Sequence, residues 1–395
     1  MASFVVSRVL MAVLAAYPDV YTPHIAPIDR DLHMYIGWAQ RILRGEMPYV
    51  DVRIEYPPGT LPFIVAPSVA KTVVGIPYRL GFIGGMIVID AAVLYVLTRL
   101  SRRRGTRLPL WVWVIGLPLL GPVCWLRLDL LPALTTVWAL ERLAAGRWVA
   151  VGASLGLGAV VKVYPAFLLP SALVIAARRW QTAVAAGAAV TLFLLPLAGA
   201  MPALTEDVVL YHARRGIQLD STWSNLVLLA AQFGYDVTVA LRFGAMEVIC
   251  SAVPVLKLLS TTLSVAIVVA SAWISYRCLS ASDVEWIAAL WFAVLALLLL
   301  TGSVLSPQFL VWLLAMGAGA CVFARSRRPV AILLLSAAAL TQVLYPFLYS
   351  RLRWGMPDAV LILSIRNGLL AALAVVATRE VRFNCDSSRR SVANS

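Results

Sequence analysis

Five carboxylates lie close together near the N-terminus, within residues 29–59. They are Asp29, Asp31, Glu46, Asp51 and Glu55, out of 19 acidic residues in a chain of 395. A carboxylate can act as a general base toward a hydroxyl group, and it is costly inside a bilayer. Apolar runs flank this segment on both sides. We therefore expect it at a water-facing surface, with some of its carboxylates available for chemistry.

The first part of this segment has the pattern of an amphipathic helix. Between Asp31 and Leu43 apolar residues recur at helical spacing, with Arg41 and Arg44 on the other side. This predicts an interfacial helix with Asp31 in its first turn, where the helix dipole favours a negative charge. Asp31, with Asp29 beside it, is then either a general base in an outer cavity or the N-cap of the helix. One residue can serve both purposes.

The run from Glu55 to Gly59 joins a carboxylate and an aromatic ring, Tyr56, to two prolines. Consecutive prolines restrict the backbone to an extended path. The run is interpreted either as a stiff turn before a membrane-seeking helix or as a wall that contacts substrate.

Two further charged stretches interrupt apolar runs. Lys162 is flanked by valines on both sides, where a cation must reach water or an anion. It either extends along its stem to the interface or binds a lipid phosphate. Arg127 and Asp129 form either a local ion pair at a helix start or one wall of the same cavity.

A dense polar loop follows near residue 212. Its polar members are His212, Arg214, Arg215, Gln218, Asp220 and Ser221. The two adjacent arginines indicate an anionic partner such as a phosphate, and a solvated charged loop is the alternative. Later in the chain, Gln308 either binds a sugar hydroxyl or caps the following helix. Arg366 lies inside the last apolar run, so it should face the bundle interior and pair with a carboxylate or an anionic head group.

The composition identifies the class of protein. The chain is 61% hydrophobic and 13% charged, whereas a soluble domain carries about 25% charged residues. This predicts an all-α polytopic membrane protein. The net charge of +14 comes from short arginine clusters between apolar runs, which is the positive-inside pattern, so nucleic-acid binding is not expected. The cysteines show no Cys/His spacing typical of a zinc site.

The apolar runs and arginine clusters together predict about twelve spans with both termini cytoplasmic. In this topology Thr60–Pro77 does not cross fully, and the short first run is a helix and not a signal peptide. Every unusual polar stretch then lies on the extracytoplasmic face. We expect one domain over residues 1–380, with extracytoplasmic segments at 18–79 and 201–255 and a basic cytoplasmic tail at 381–395. Residues 221–255 are mixed and are expected to be interfacial helix or re-entrant.

Taken in order, the motifs resemble glycosyltransferase family 87, integral-membrane mannosyltransferases of the GT-C superfold that use polyprenyl-phosphate-mannose. The resemblance covers about residues 1–380. The motifs that carry it are Asp31-Leu-His-x-Tyr35, Gly45-x-x-Pro48-Tyr49, Glu55-Tyr-Pro-Pro-Gly59, Arg127-x-Asp129, Lys162-x-Tyr164-Pro165, Arg215-Gly-Ile-Gln-x-Asp220-Ser221, Ser306-Pro-Gln308 and Arg366-Asn367. The chain departs from the family pattern at Asp220, where glutamate is expected, and in its short first span.

The resemblance implies a GT-C-like fold and a catalytic base in the first outer loop, which Asp31 matches best, with Asp29 as the alternative. It implies that the donor phosphate is bound by Lys162, Arg215, Arg127 and His33. The residues it implies for substrate contact are Tyr35, Glu55, Tyr56, Asp129, Tyr164, His212, Arg214, Gln218, Asp220, Gln308 and Arg366.

The implied reaction is inverting transfer of a hexose from a polyprenyl-phosphate donor to a glycolipid or lipoglycan acceptor at the plasma membrane. Mannose rests on the resemblance alone, and a glycoprotein acceptor stays open. No cofactor is implied, and relatives in the superfold differ in their need for a divalent metal.

Two other classes of protein fit the composition. A transporter or flippase of polyprenyl-linked sugars would show internal repeats and helices broken near the midplane, and no convincing repeat is found. The polar residues crowd one face and do not form a path across the membrane. A scaffold without activity is the third interpretation. The chain has no P-loop and no dinucleotide-binding glycine motif, so a cytosolic nucleotide-sugar enzyme is not expected.

Overall fold

The computed structural model describes residues 2–21, 28–278 and 283–393, which form a helical bundle with one small sheet. The first helices are α1 Ala2–Ala16, α2 Pro18–Tyr21, α3 Arg30–Leu43, α4 Leu61–Val74, α5 Tyr78–Arg102 and α6 Leu108–Leu120. The middle helices are α7 Leu130–Ala144, α8 Trp148–Val161, α9 Leu169–Ile175, α10 Arg179–Leu194, α11 Met201–Leu204, α12 Tyr211–Arg214 and α13 Thr222–Ala231. The last are α14 Val253–Arg277, α15 Val284–Thr301, α16 Leu310–Ala320, α17 Arg327–Gln342, α18 Tyr349–Arg353 and α19 Pro357–Ala393.

The predicted amphipathic helix is confirmed as α3. Its buried face consists of Leu32, Tyr35, Trp38 and Ala39, which lie three or four residues apart. Asp31 lies in its first turn, as predicted. The spacing of apolar residues was therefore sufficient to locate this helix and its orientation.

In the part of the chain that the structure describes, six helical stretches are long and apolar enough to cross a bilayer. They are Tyr78–Arg102, Arg179–Arg214, Val253–Arg277, Val284–Thr301, Arg327–Arg353 and Pro357–Phe383. The clearest is α14, whose most apolar stretch is only 6% buried by protein. An apolar helix exposed on nearly all sides is stable only with lipid around it. The fold is that of a polytopic membrane protein, while the total of twelve spans stays a prediction.

Helices α4 and α19 differ in length from a single membrane span. Helix α4 has 14 residues, which at 1.5 Å per residue gives about 21 Å, less than the hydrocarbon thickness. This length is compatible with the prediction that Thr60–Pro77 does not cross fully. Helix α19 continues to Ala393, beyond the predicted boundary at residue 380.

The centre of the bundle is α16, in which every residue is buried. It packs against α6, α7, α15 and α17. Helices α8 and α10 approach closely through glycines on α8: a Cβ on Gly152 would lie 2.1 Å from the carbonyl oxygen of Thr182, and one on Gly156 would lie 2.5 Å from that of Ala186. Small residues four positions apart allow such close packing between membrane helices.

A buried ion pair, absent from the sequence predictions, joins α1 to α5 and α6. The guanidinium of Arg8 donates to both carboxylate oxygens of Asp90, at 2.7 and 3.1 Å. Arg8 also donates to the carbonyl oxygen of Val114 at 2.8 Å, and the indole of Trp113 donates to Asp90 at 2.8 Å. Both charged side chains are buried. Their hydrogen bonds compensate the cost of placing two charges in the membrane.

We expect Arg8→Met to lower the free energy of unfolding by about 3 kcal/mol, because it leaves the Asp90 carboxylate buried without its cation. Thermal unfolding of the purified protein in detergent measures this. The double variant Arg8→Met/Asp90→Leu should recover most of the loss, since no bare charge remains. Unchanged melting of Arg8→Met would show that the pair contributes nothing.

A three-stranded antiparallel sheet was not predicted. Its strands are β1 Ile217–Gln218, β2 Thr238–Arg242 and β3 Ala245–Ile249, in the order β1–β3–β2. The hairpin β2–β3 turns at Phe243 and Gly244, both with positive φ, as two-residue hairpin turns require. The predicted mixed segment therefore contains helix α13, this hairpin and the first residues of α14.

Candidate active site

A cavity of about 720 Å³ is lined by the start of α3, by the loops before α7 and α9, and by the tip of the β2–β3 hairpin. The predicted site residues that line it are Asp31, Glu55, Tyr56, Arg127, Lys162, Tyr164, His212, Arg215, Gln218, Asp220 and Gln308. The predicted residues outside its lining are Asp29, His33, Tyr35, Asp129, Arg214 and Arg366. Segments far apart in sequence thus meet around one space.

The carboxylate of Asp31 is held from two sides. It forms an ion pair with Arg127, and it accepts a hydrogen bond from the hydroxyl of Tyr56 at 3.4 Å. Tyr56 in turn accepts from the hydroxyl of Tyr35 at 3.1 Å. Tyr35 therefore acts behind Tyr56 and not on the cavity itself. A general base acts in its ionised form, and Arg127 places an opposite charge beside that form of Asp31.

Asp29 occupies the N-cap position of α3, but its side chain makes no capping bond. It pairs instead with Arg79 at 2.5 Å and with His33 at 3.3 Å. The interpretation of Asp31 as the cap is therefore wrong, because Asp31 lies inside the helix. His33 lies outside the cavity lining with 65% of its side chain exposed, so the structure does not bring it to the other candidate phosphate ligands.

Arg127 and Asp129 do not form the local ion pair. Arg127 pairs with Asp31, while Asp129 accepts from the ammonium of Lys162 at 2.7 Å. Lys162 follows the end of α8 with only 18% of its side chain exposed. Its ammonium also lies 4.7 Å from the ring centre of Phe309. Lys162 therefore stays at the cavity and does not extend to a distant interface.

Arg215 contributes a cation to the cavity wall. Among the described residues no carboxylate oxygen lies within 4 Å of its guanidinium, and its Nε is buried with no hydrogen-bond partner. The next residue, Gly216, donates its N–H to Glu247 on β3 at 3.0 Å, which fixes the chain where β1 begins. The sheet therefore positions an arginine that is free to bind an anion.

The neighbours of Arg215 differ in their roles. Arg214 is exposed and pairs with Glu206 at 2.5 Å, outside the cavity lining. His212 lines the cavity, and its Nε2 lies 2.9 Å from the carbonyl oxygen of Glu55. Only one of the two adjacent arginines therefore belongs to the site.

Two glutamines lie on another part of the wall. The amide of Gln218 exchanges hydrogen bonds with the hydroxyl of Ser306, at 2.9 and 3.1 Å. Gln308 makes no side-chain cap to α16, so the capping interpretation is wrong. Its buried amide lies in the cavity lining.

Asp220, in the cavity lining, is in contact with Arg366. Arg366 is buried, as predicted. Its partner is not the predicted carboxylate: among the described residues no carboxylate oxygen lies within 4 Å, and Arg366 donates instead to the backbone carbonyl of Asp220 at 2.5 Å. One carboxylate oxygen of Asp220 is buried without a partner. Burial raises the pKa of Asp220 to about 6, although the nearby charge of Arg366 opposes this.

This shift predicts a pH dependence of stability. The folded chain holds the Asp220 proton more tightly than the unfolded chain, so the free energy of unfolding falls as the pH rises from about 4 to about 6. Asp220→Asn removes this contribution, about 3 kcal/mol. The melting temperature of the wild type should therefore fall relative to Asp220→Asn across this window and run parallel above it. A constant difference at all pH values would contradict the prediction.

The sequence did not predict a site role for Arg30 or for several aromatic residues of the cavity lining. Those aromatics are Phe309, Trp312, Tyr345 and Tyr349. Trp312 stacks on Tyr164 at 4.1 Å and on Phe309 at 4.2 Å between ring centres. In the sequence these rings belong to apolar runs and have no feature that separates them from core residues. Arg30 directly precedes Asp31, and that adjacency was the available signal.

Among the described residues no group of three or more His, Cys, Asp and Glu side chains is arranged to hold a metal ion. The cavity contains three carboxylates, of which Asp31 is held by Arg127 and Tyr56, together with the cations Lys162 and Arg215. Such a set can remove a proton from a hydroxyl and stabilise an anionic leaving group.

The chain matches the model of a known protein family. The family model for glycosyltransferase family 87 matches residues 55–301, which is more than half of the chain. The matched range contains Arg127, Lys162 and Arg215 and begins after Asp31. No curated protein matches the chain.

Proposed function

Because this chain belongs to glycosyltransferase family 87, we propose that it transfers a hexose, mannose by the resemblance, from a polyprenyl-phosphate donor to a glycolipid or lipoglycan acceptor. The observation that carries the proposal is the cavity in which Asp31, paired with Arg127, faces the additional cations Lys162 and Arg215. Transfer from a phosphate donor requires a base for the acceptor and positive charge for the leaving group.

The proposed reaction is a single displacement at C1 of the donor sugar. Asp31 takes the proton of the acceptor hydroxyl as its oxygen attacks C1, and the bond from C1 to the phosphate oxygen breaks. Polyprenyl phosphate leaves with an additional negative charge. Lys162 and Arg215 stabilise that charge, and the anomeric configuration inverts. Asp31 ends the step protonated, so its ion pair with Arg127 weakens until the proton passes to water.

An apolar side of the cavity suits a prenyl chain. Val163, Phe167 and Val209 line the cavity and are also exposed on the surface of the protein. A prenyl chain bound along them stays in contact with lipid while its phosphate reaches the cations. Apolar and charged linings in one cavity are what an amphipathic donor requires.

We propose that the cavity faces the extracytoplasmic side of the plasma membrane. The arginine clusters that the positive-inside rule assigns to the cytoplasm include Arg102–Arg104 and Arg327–Arg328, and none of these lines the cavity. The α3 helix lies at the interface on the opposite side.

The test is transfer of labelled mannose to glycolipid in membranes that contain the protein, compared with membranes that lack it. We expect transfer from polyprenyl-phosphate-mannose and none from the nucleotide sugar. Transfer from polyprenyl-phosphate-glucose alone would reject mannose and keep the reaction class. Movement of the labelled donor across the membrane without transfer would reject the enzyme and favour the flippase.

A further inference from the structure

In the part of the chain that the structure describes, some cations in the cavity lining have no carboxylate in contact, although Asp31, Glu55 and Asp220 also line the cavity. Four cationic side chains line it: Arg30, Arg127, Lys162 and Arg215. Arg127 and Lys162 are already paired with carboxylates. Among the described residues neither Arg30 nor Arg215 has a carboxylate oxygen within 4 Å. Two arginines thus remain for anions that the protein itself does not supply.

These two arginines lie in different parts of the cavity. Arg127 and Arg215 are both close enough to Lys162 for their positive charges to repel that of the lysine. Arg30 has the same effect on Arg127. The cations therefore follow one another in the order Arg30, Arg127, Lys162 and Arg215. The two arginines without a carboxylate in contact lie at opposite ends of this series, and each end is stabilised by an anion placed against it.

The position of Arg30 connects it with the acceptor. Arg30 is the first residue of α3, and Asp31 follows it directly. The proposed base must contact the acceptor hydroxyl. Asp31 pairs with Arg127, and Arg30 is close enough to Arg127 to repel it, so an anionic group of the acceptor near that hydroxyl comes within reach of Arg30. The N-terminal end of α3 also carries the positive end of the helix dipole, which favours a negative charge there.

We propose that the acceptor carries an anionic group, a phosphate or a carboxylate, close to the hydroxyl that is glycosylated, and that Arg30 binds this group. The proposal rests on the proposed function, in which Lys162 and Arg215 bind the donor phosphate and Asp31 activates the acceptor. It adds the chemical class of the acceptor and a residue that selects it.

The kinetic test uses three soluble acceptors built on octyl mannoside: the neutral sugar, a phosphate ester and the corresponding uronate. For the wild type we expect a KM about tenfold lower for an anionic acceptor than for the neutral one, since a charge-assisted contact contributes this order of affinity. Arg30→Gln should abolish the preference and leave the KM of the donor unchanged. Which of the two anionic acceptors is preferred identifies the group.

Arg44→Gln is the matched control. It removes one positive charge from the other end of the same helix, where the arginine is exposed and outside the cavity lining. This control should behave as the wild type. Equal KM values for neutral and anionic acceptors in the wild type would overturn the proposal, and so would an Arg30→Gln variant in which only the donor KM rises.

A binding measurement without donor distinguishes failure of the anion site from failure of the proposed function. The phosphate ester of octyl mannoside is titrated into purified protein while tryptophan fluorescence is followed. Tighter binding of this ester than of octyl mannoside, lost in Arg30→Gln, supports the anion site even if no donor gives transfer. Transfer without Arg30-dependent binding or preference overturns the anion site and keeps the proposed function.

Discussion

Asp31→Asn is expected to lower the transfer rate by about 10³-fold, because asparagine cannot accept the proton of the acceptor hydroxyl. The loss corresponds to about 4 kcal/mol of activation free energy. Asparagine has nearly the same shape and can still accept the hydrogen bond from Tyr56, whose hydroxyl lies 3.4 Å from Asp31. The rate is measured with labelled donor at matched amounts of folded protein.

Two companion variants separate the base from its surroundings. Asp29→Asn should keep its rate per folded molecule while lowering stability, because Arg79 and His33 lose their carboxylate. Asp31→Asn/Arg127→Gln should stay inactive, although it removes the arginine that Asp31→Asn leaves unpaired. Recovery of activity in the double variant would mean that the bare arginine caused the loss, and Asp31 would not be the base.

Arg215→Gln should lower kcat by about 10²-fold and raise the KM of the donor, because it removes a cation from the leaving phosphate. This substitution leaves no carboxylate without its cation, because among the described residues no carboxylate oxygen lies within 4 Å of Arg215. Initial rates at varied donor concentration, with acceptor in excess, measure both constants.

Arg214→Gln provides the control at the adjacent position. That arginine is exposed and pairs with Glu206 away from the cavity, so its loss should change kcat less than twofold, as is usual for surface ion pairs. Equal losses in the two variants would indicate a general charge effect. Full activity of Arg215→Gln would remove Arg215 from the proposed mechanism.

The features predicted correctly from sequence depend on local patterns. Helix α3 follows from the spacing of Leu32, Tyr35 and Ala39, because a helix places residues three and four apart on one face. The burial of Arg366 follows from one charge inside an apolar run. In both cases the physical cause acts within a few turns of chain, so the sequence alone carries it.

The features that escaped prediction depend on partners distant in sequence. Asp31 meets an arginine at position 127, and Asp129 meets Lys162, so the two charges nearest in sequence, Arg127 and Asp129, serve different partners. The pairing of Arg8 with Asp90 is of the same kind. Residue spacing cannot reveal such contacts, because they depend on how the helices pack.

The sheet was missed for a different reason. Strands β2 and β3 have five residues each, and several of their apolar residues also suit an interfacial helix. The feature that makes this segment a hairpin is its two-residue turn, in which Phe243 and Gly244 both adopt positive φ. This hairpin matters for the site, because Phe243 and Gly244 line the cavity.

The most direct test of the proposed mechanism is the anomeric configuration of the product. The protein is supplied with a polyprenyl-phosphate-sugar donor of defined anomer, and the new glycosidic bond is assigned by nuclear magnetic resonance. A single displacement in which Asp31 activates the acceptor predicts the configuration opposite to that of the donor. A product that retains the donor configuration would require a covalent or dissociated intermediate, and it would contradict the central role proposed for Asp31.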